Sequence, residues 1–214
     1  MAACSKRRRG RCGSRSRRTR HEHDPFVRRA RAEGWRSRAA LKLEAIDQRD
    51  KLFRPGQVVV DLGAAPGGWS QLAARRVGAR GQVIAVDLLA MEPLPGVTLL
   101  QADFSTEAGL RAVQEALDGR PVDVVLSDMA PNLTGHVAVD QPASMGLAEL
   151  AADFASQFLK VRGGDFLVKT FQGEGFDAYR ADLATRFSRV LVRKPEASRS
   201  GSREVYLLAR GLAV

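Results

Sequence analysis

Residues 57–70 have the sequence QVVVDLGAAPGGWS, and the predicted fold follows mainly from this stretch. The apolar run Val58-Val59-Val60 predicts a strand that is covered on both faces, as in a parallel sheet. The turn that follows is rich in glycine, and a helix is predicted from Trp69 onwards. A strand that leads through glycines into a helix is typical of the first unit of a nucleotide-binding α/β sheet.

Strand-like and helix-like segments alternate along the rest of the chain. The predicted strands are Gln57–Leu62, Gln82–Asp87, Val97–Leu100, Val122–Ser127, Asp165–Thr170, Arg189–Arg193 and Glu204–Ala209. The predicted helices are a short one capped by Asp24-Pro25, then Ala39–Lys51, Trp69–Val77, Ser105–Asp118, Ala143–Arg162 and Phe176–Phe187. This order predicts an α/β fold with a doubly wound, mostly parallel, seven-stranded Rossmann-like sheet.

The net charge of +10 is unevenly distributed. Residues 1–38 contain 14 basic and three acidic residues, whereas the remaining 176 residues contain 20 basic and 21 acidic ones. We therefore divide the chain into a basic arm, residues 1–21, and a nearly neutral domain, residues 22–214. The arm has too few apolar residues to form a core, so it is expected to be disordered and to seek a polyanion.

Several protein classes are excluded by composition. No apolar run approaches the roughly 20 residues that a membrane-spanning helix needs, and the basic start is not followed by the apolar stretch of a secretory signal. Two cysteines and three histidines are too few for a disulfide framework or a histidine-rich metal centre, so no metal is expected.

Two acidic residues follow predicted strands beside the glycine turn. Asp87 ends the second strand, where a carboxylate can accept both ribose hydroxyls of a nucleoside. Asp103 follows the third strand and is a candidate acceptor for an adenine amino group, or else an acid before the helix at Ser105. The turn matches the dinucleotide pattern only in part and contains Pro66, which favours S-adenosylmethionine over NAD.

Five motifs lie in register between residues 22 and 210. They are RSRAALKL at 36–43, DLGAAPGGWSQ at 61–71, SDMAPN at 127–132, VKTFQGEG at 168–175 and RKPEASRSGSREVY at 193–206. Together they resemble the RrmJ/FtsJ family of ribose 2′-O-methyltransferases, whose bacterial members act on a uridine of large-subunit ribosomal RNA. Thr170 departs from the family pattern, which carries a bulkier apolar residue there.

The resemblance implies an S-adenosylmethionine-dependent enzyme, without a metal, that methylates 23S ribosomal RNA late in assembly of the cytoplasmic 50S subunit. It implies four catalytic residues: Lys42, Asp128, Lys169 and Glu204. It implies six residues that bind the cofactor: Gly63, Gly67, Trp69, Asp87, Asp103 and Asp128. Alternatives are an enzyme acting on tRNA or another RNA, and a non-catalytic RNA-binding assembly factor on the same scaffold.

Two roles are open for Lys169. It can act as a general base that takes the proton of the ribose hydroxyl, or as a cation that orients the hydroxyl and stabilises the developing alkoxide. A second cation, Lys42, favours the neutral form of Lys169, whereas Asp128 and Glu204 favour the charged form.

RNA contacts are expected from the basic arm and from basic residues close to the motifs. These residues are Arg36, Arg38, Arg193, Lys194, Arg199 and Arg203. Aromatic residues make up only 6% of the chain, which favours recognition of RNA shape and phosphates over stacking on successive bases.

Deletion of residues 1–20 is expected to weaken RNA binding, because it removes nine basic residues and no acidic ones. The slope of log affinity against log salt should fall by about 0.7 for each lost phosphate contact. Binding assays across a salt series measure this slope. Calorimetry with S-adenosylmethionine is the control: a collapse of cofactor affinity would contradict the division between arm and domain.

Overall fold

The computed structural model describes residues 24–131, 134–198 and 201–213, with the side chain of Val137 left out. The basic arm and Arg199 lie outside the described residues, so what was predicted for them stays a prediction.

The described residues form alternating helices and strands, in the predicted order. The helices are α1 (Pro25–Ala32), α2 (Ala39–Asp50), α3 (Gly68–Val77), α4 (Glu107–Leu117), α5 (Val137–Phe158) and α6 (Phe176–Arg186). The strands are β1 (Val58–Leu62), β2 (Gln82–Asp87), β3 (Val97–Gln101), β4 (Val124–Ser127), β5 (Asp165–Phe171), β6 (Phe187–Arg193) and β7 (Glu204–Leu212).

The strands form one seven-stranded sheet in the order β3-β2-β1-β4-β5-β7-β6. The first five strands of this order are parallel, and β7 runs antiparallel to both of its neighbours. The prediction of a mostly parallel, doubly wound sheet is confirmed. The order reverses between β1 and β4, and in such sheets ligands bind at the carboxyl ends of the strands beside that reversal.

Helices cover both faces of the sheet. Val58, Val60 and Leu62 of β1 belong to a core that also contains residues of α4, α5 and α6. Val59, between them, belongs to a second core with residues of α2 and α3. This alternation follows from the two-residue period of a strand, and it explains why a continuous apolar run formed β1.

Element boundaries differ from the prediction mainly at α5. The helix was predicted to begin at Ala143, after Pro142, but it begins at Val137 and contains Pro142. Proline lacks a backbone N–H and is unusual inside a helix, so the run of residues with clear helical character begins only after Pro142. The predicted cap of α1 is confirmed, because the Asp24 side chain accepts a hydrogen bond from the backbone N–H of Phe26.

Two helical glycines offer a matched test of this packing. A Cβ at Gly109, in the first turn of α4, would overlap the backbone carbonyl of Asp103, whereas a Cβ at Gly146 in α5 would meet nothing within 4 Å. Gly109→Ala is expected to destabilise the protein by about 2 kcal/mol, since the backbone must move. Gly146→Ala is expected to stabilise it by about 0.5–1 kcal/mol through helix propensity. Urea unfolding measures both; equal effects would contradict the packing of α4 on the loop after β3.

Candidate active site

The predicted catalytic residues meet at one edge of the sheet because of the direction of β7. Asp128 follows β4, and Lys169 lies near the end of β5. Since β7 is antiparallel to β5, its first residues lie beside the end of that strand: Glu204 pairs with Phe171, and Tyr206 with Lys169. The carboxyl ends of the parallel strands and the start of β7 therefore share an edge.

Lys169 is held by Asp128. Its Nζ lies 3.0 Å from Asp128 Oδ1, and it also donates a hydrogen bond to the backbone carbonyl of Asp128. The Lys169 side chain is only 9% exposed. A lysine ammonium has three N–H donors, so these two contacts leave one position of Nζ for a ligand.

Lys42 reaches the same edge from α2 and binds Glu204. Its Nζ donates to Glu204 Oε1 at 2.6 Å, and the Ser198 hydroxyl donates to the same oxygen at 3.0 Å. Burial raises the pKa of Glu204, but the hydrogen bonds from Lys42 and Ser198 and the charges of Lys42 and Lys169 together hold the pKa below its usual value. Glu204 is therefore a fixed carboxylate.

Tyr206 joins these two ion pairs, and the sequence analysis gave it no role. Its hydroxyl lies 3.2 Å from Glu204 Oε1 and 3.4 Å from Asp128 Oδ1. The ring is fully buried, and Lys42 Nζ lies 5.8 Å from its centroid. Burial, with the two carboxylates, raises the pKa of Tyr206 well above its usual value, so the hydroxyl remains a donor. The two-residue spacing from Glu204 placed it on the same strand face.

A cavity of about 180 Å³ is lined by some of the predicted catalytic and cofactor residues, but not by Lys169, Glu204, Gly67, Asp87 or Asp103. Of the predicted catalytic residues, Lys42 and Asp128 line it. Of the predicted cofactor residues, Gly63 and Trp69 do. The Trp69 indole N–H donates to the backbone carbonyl of Ala39 at 2.9 Å. Trp69 is thus both a core residue and part of the cavity wall.

Asp61 also lines this cavity, and the sequence analysis did not select it as a site residue. It is fully buried; Oδ2 accepts a hydrogen bond from the Ser70 hydroxyl at 2.5 Å, while Oδ1 has no partner in the described part of the chain. Burial raises the pKa of Asp61 to about 7, although the hydrogen bond from Ser70 opposes the rise. An unpartnered acidic oxygen at the end of β1 suits a cationic group.

Asp87 and Asp103 follow neighbouring strands, as predicted, and both carboxylates make local contacts. Asp87 accepts from the backbone N–H groups of Ala65 and Leu89, each at 2.8 Å, and so ties the turn after β1 to the end of β2. Asp103 Oδ1 accepts from the hydroxyl and backbone N–H of Ser105 at 2.6 and 2.9 Å. These hydrogen bonds lower the pKa of Asp103, which is exposed and stays charged.

The glycines of the turn are required by the protein's own packing. Gly63 and Gly67 have φ values of +70° and +100°, which favour glycine. A Cβ at Gly63 would overlap the Met129 side chain, and one at Gly67 would lie 2.8 Å from Leu94 Cδ1. These glycines were predicted to form a nucleotide-binding turn, and the structure shows side chains of the protein itself in the space that a Cβ would fill.

Arg36 binds loops of the protein itself. Its guanidinium donates to the backbone carbonyls of Pro66, Glu92 and Pro93 at 3.3, 2.7 and 2.6 Å. It therefore joins the turn after β1 to the loop after β2. The RNA contact predicted for Arg36 stays a prediction, but the structure gives this residue a structural role that the sequence did not indicate.

The other predicted RNA-binding residues divide into paired and exposed ones. Arg38 forms an ion pair with Asp24, and Arg193 makes two hydrogen bonds to Asp50 at 2.7 and 2.6 Å. Lys194 and Arg203 are exposed. Among the described residues, the only acceptor of Lys194 Nζ is the backbone carbonyl of Ser202, at 3.0 Å.

Two features are absent from the described ranges. Among residues 24–131, 134–198 and 201–213, no three histidine, cysteine, aspartate or glutamate residues are grouped so as to hold a metal ion. No helix in these ranges has the length and apolar character needed to cross a bilayer.

The burial of Asp61 predicts a specific dependence of stability on pH. The raised pKa means that the folded protein keeps a proton that the unfolded chain releases above about pH 4. Asp61 therefore lowers the free energy of unfolding by up to about 1.4 kcal/mol per pH unit until the pH passes the folded-state pKa.

Asp61→Asn removes this dependence and can keep the hydrogen bond from Ser70. The stability of the variant relative to the unsubstituted protein should rise between pH 5 and 7 and level off above that range. Urea unfolding of both proteins at pH 5, 6, 7 and 8 measures the difference. A difference that does not change with pH would show that Asp61 is charged throughout.

Comparison with known proteins places this architecture in a family. Residues 35–212 match the FtsJ-like methyltransferase family. The chain is 79% identical, over all of both chains, to the ribosomal RNA large subunit methyltransferase E of Halorhodospira halophila. It is 60% identical to the protein of the same name from Alkalilimnicola ehrlichii, over 97% of this chain and 99% of that one.

A solved structure agrees with this assignment. A crystal structure of a Plasmodium falciparum protein named as a ribosomal RNA methyltransferase superposes with a TM-score of 0.75 at 26% identity. The match covers 83% of this chain and 98% of that one. The match of the family over nearly the whole described domain, and the identity to full-length relatives, lead to one conclusion: the chain belongs to the FtsJ-like methyltransferase family.

Proposed function

We propose that this methyltransferase transfers a methyl group from S-adenosylmethionine to the ribose 2′-hydroxyl of a uridine in 23S ribosomal RNA, in the cytoplasm and within the 50S subunit. The names of its relatives support the ribosomal substrate. The observation that carries the proposal is the network Lys42–Glu204–Tyr206–Asp128–Lys169 at the cavity edge. A non-catalytic assembly factor would not need two buried lysines held in this way.

The residues of the cavity fit S-adenosylmethionine, which supplies a methyl group on a positively charged sulfur. The unpartnered oxygen of Asp61 suits the ammonium of the methionine part, and a cation there would favour the charged form of this acid. Asp87 and Asp103 are proposed to accept from the ribose and the adenine, since each carboxylate oxygen can accept more than one hydrogen bond. Gly63, Gly67, Trp69 and Asp128 complete the proposed cofactor site.

Lys169 is proposed to act on the acceptor hydroxyl. Asp128 fixes its Nζ through two acceptors and leaves one position free. In the ammonium form this position is an N–H that orients the hydroxyl and stabilises its developing negative charge. In the amine form it is a lone pair that takes the hydroxyl proton.

Lys42 and Glu204 are proposed to hold the acceptor side of the site in place. The Glu204 oxygen accepts from Lys42, Ser198 and Tyr206, so it cannot turn away without breaking three hydrogen bonds. Lys42 supplies a second positive charge close to the acceptor. Alignment of donor and acceptor is the main task in this reaction, because the methyl group is already activated.

Lys169→Ala is expected to lower kcat by about 10²–10⁴-fold, as loss of a residue that handles the acceptor proton does. Lys160→Ala is a matched control, because Lys160 forms an ion pair with Asp123 before β4, at the opposite edge of the sheet. Lys169→Arg separates the two roles: partial activity indicates an orienting cation, and no activity a base. Wild-type kcat in Lys169→Ala would contradict the mechanism.

The substrate is tested with purified protein and radiolabelled S-adenosylmethionine. Free 23S ribosomal RNA, 50S subunits and tRNA are offered separately, and methylated nucleosides are identified after digestion. The proposal predicts 2′-O-methyluridine in ribosomal RNA. Methylation of tRNA alone would contradict the ribosomal assignment, and calorimetric binding of NAD without binding of S-adenosylmethionine would contradict the cofactor.

A further inference from the structure

A groove outside the catalytic cavity lies between α2 and the segment that follows β6. Its volume is about 360 Å³. Leu41 and Ala45 of α2 line one wall, and Ala197 lines the other. Leu41 and Ala197 are buried, so the accessible apolar surface on the floor of the groove comes from the exposed Ala45 and the half-buried Phe26.

Charged side chains surround this floor. Arg49 and Lys194 line the groove and are exposed; Arg49 has no hydrogen-bond or ion-pair partner in the described part of the chain. Arg29 and Arg193 also line it, but Arg29 forms ion pairs with Glu33 and Glu44, and Arg193 forms one with Asp50. One exposed carboxylate, that of Glu196, lines the groove as well. The groove therefore combines an apolar floor, two available cations and one acceptor.

These features match the chemistry of one nucleotide. The apolar floor suits the face of a base, and an arginine with a lysine suits a phosphate. A carboxylate accepts hydrogen bonds from base amino or imino groups. An acidic peptide would use the two cations but would leave the apolar floor and the carboxylate without partners.

A residue in each wall of the groove is followed in sequence by a residue that donates a hydrogen bond to Glu204. Leu41 precedes Lys42, whose Nζ donates to Glu204 at 2.6 Å. Ala197 precedes Ser198, whose hydroxyl donates to the same oxygen at 3.0 Å. The two segments that form the groove therefore also carry two of the side chains that hold Glu204.

We infer that this groove binds an unpaired nucleotide that flanks the target uridine in the RNA substrate. The inference rests on the proposed function for the identity of the RNA. The phosphate binds Arg49 and Lys194, the base lies on Ala45 and Phe26, and Glu196 accepts from the base edge. The groove thereby selects RNA in which the nucleotide beside the target is unstacked.

Four single variants test the inference by RNA binding, measured as fluorescence anisotropy with a 23S ribosomal RNA transcript. Arg49→Glu and Lys194→Glu reverse charges at the groove. Ala45→Trp fills it without a change in charge. Arg180→Glu is the control, because Arg180 is also an exposed arginine without a partner among the described residues, but it lies on α6, on the other face of the sheet.

Arg49→Glu, Lys194→Glu and Ala45→Trp are each expected to weaken RNA binding by about tenfold, the order of one stacked base or one phosphate contact. Arg49→Glu should also reduce the salt slope by about 0.7, whereas Ala45→Trp should leave the slope unchanged. Arg180→Glu should bind RNA as the unsubstituted protein does. Thermal unfolding of each variant shows whether the fold is kept.

Unchanged binding by a folded Ala45→Trp would overturn the inference, since a filled groove cannot hold a base. Equal weakening by Arg180→Glu and Arg49→Glu would also overturn it, because overall charge would then explain the effect. Failure of the proposed function would give a different result. The variants would change RNA binding as expected above, but the unsubstituted protein would methylate no RNA.

Discussion

The antiparallel pairing of β7 with β5 is the constraint on which the active site depends. An all-parallel sheet would place the first residues of the last strand at the opposite edge from Lys169. Reversal of β7 brings Glu204 and Tyr206 beside the end of β5, in the register Phe171–Glu204 and Lys169–Tyr206. The buried Tyr206 hydroxyl then lies between the two ion pairs, 3.2 Å from Glu204 Oε1 and 3.4 Å from Asp128 Oδ1, and can donate its single proton to either carboxylate.

Buried charge in this site is arranged in compensating pairs. Lys42 and Lys169 each have a carboxylate partner, so neither lysine is left uncompensated beside the core. Asp61 is different, since one of its oxygens has a hydrogen bond and the other has no described partner. The two lysines thus have carboxylate partners, whereas one oxygen of Asp61 has none among the described residues, and this difference suits the cationic methyl donor that we propose.

The sequence predicted the parts of the fold that depend on local patterns. Apolar runs such as Val58-Val59-Val60 identified buried strands, and the glycine turn identified the ligand-binding edge. The resemblance to a family selected four residues that the structure brings into one network. Their catalytic and binding roles stay predictions.

Other features could not be read from the sequence, because they arise from contacts between distant segments. Arg36 was assigned to RNA from its charge, yet its guanidinium binds loop carbonyls up to 57 residues away. Asp61 was noted only as part of the motif at residues 61–71. The sequence does not show that burial of β1 leaves one oxygen of Asp61 without a partner among the described residues. The groove beside Arg49 depends on the return of the chain after β6. Only Tyr206 had a usable signal, its two-residue spacing from Glu204.

The most direct test of the central claim is a map of ribose 2′-O-methyl groups in cellular RNA, with the gene present, deleted, and replaced by the Lys169→Ala variant. The account predicts that one 2′-O-methyluridine of 23S ribosomal RNA disappears on deletion and is not restored by the variant. An unchanged map of ribosomal RNA after deletion, or restoration of the methyl group by Lys169→Ala, would contradict it.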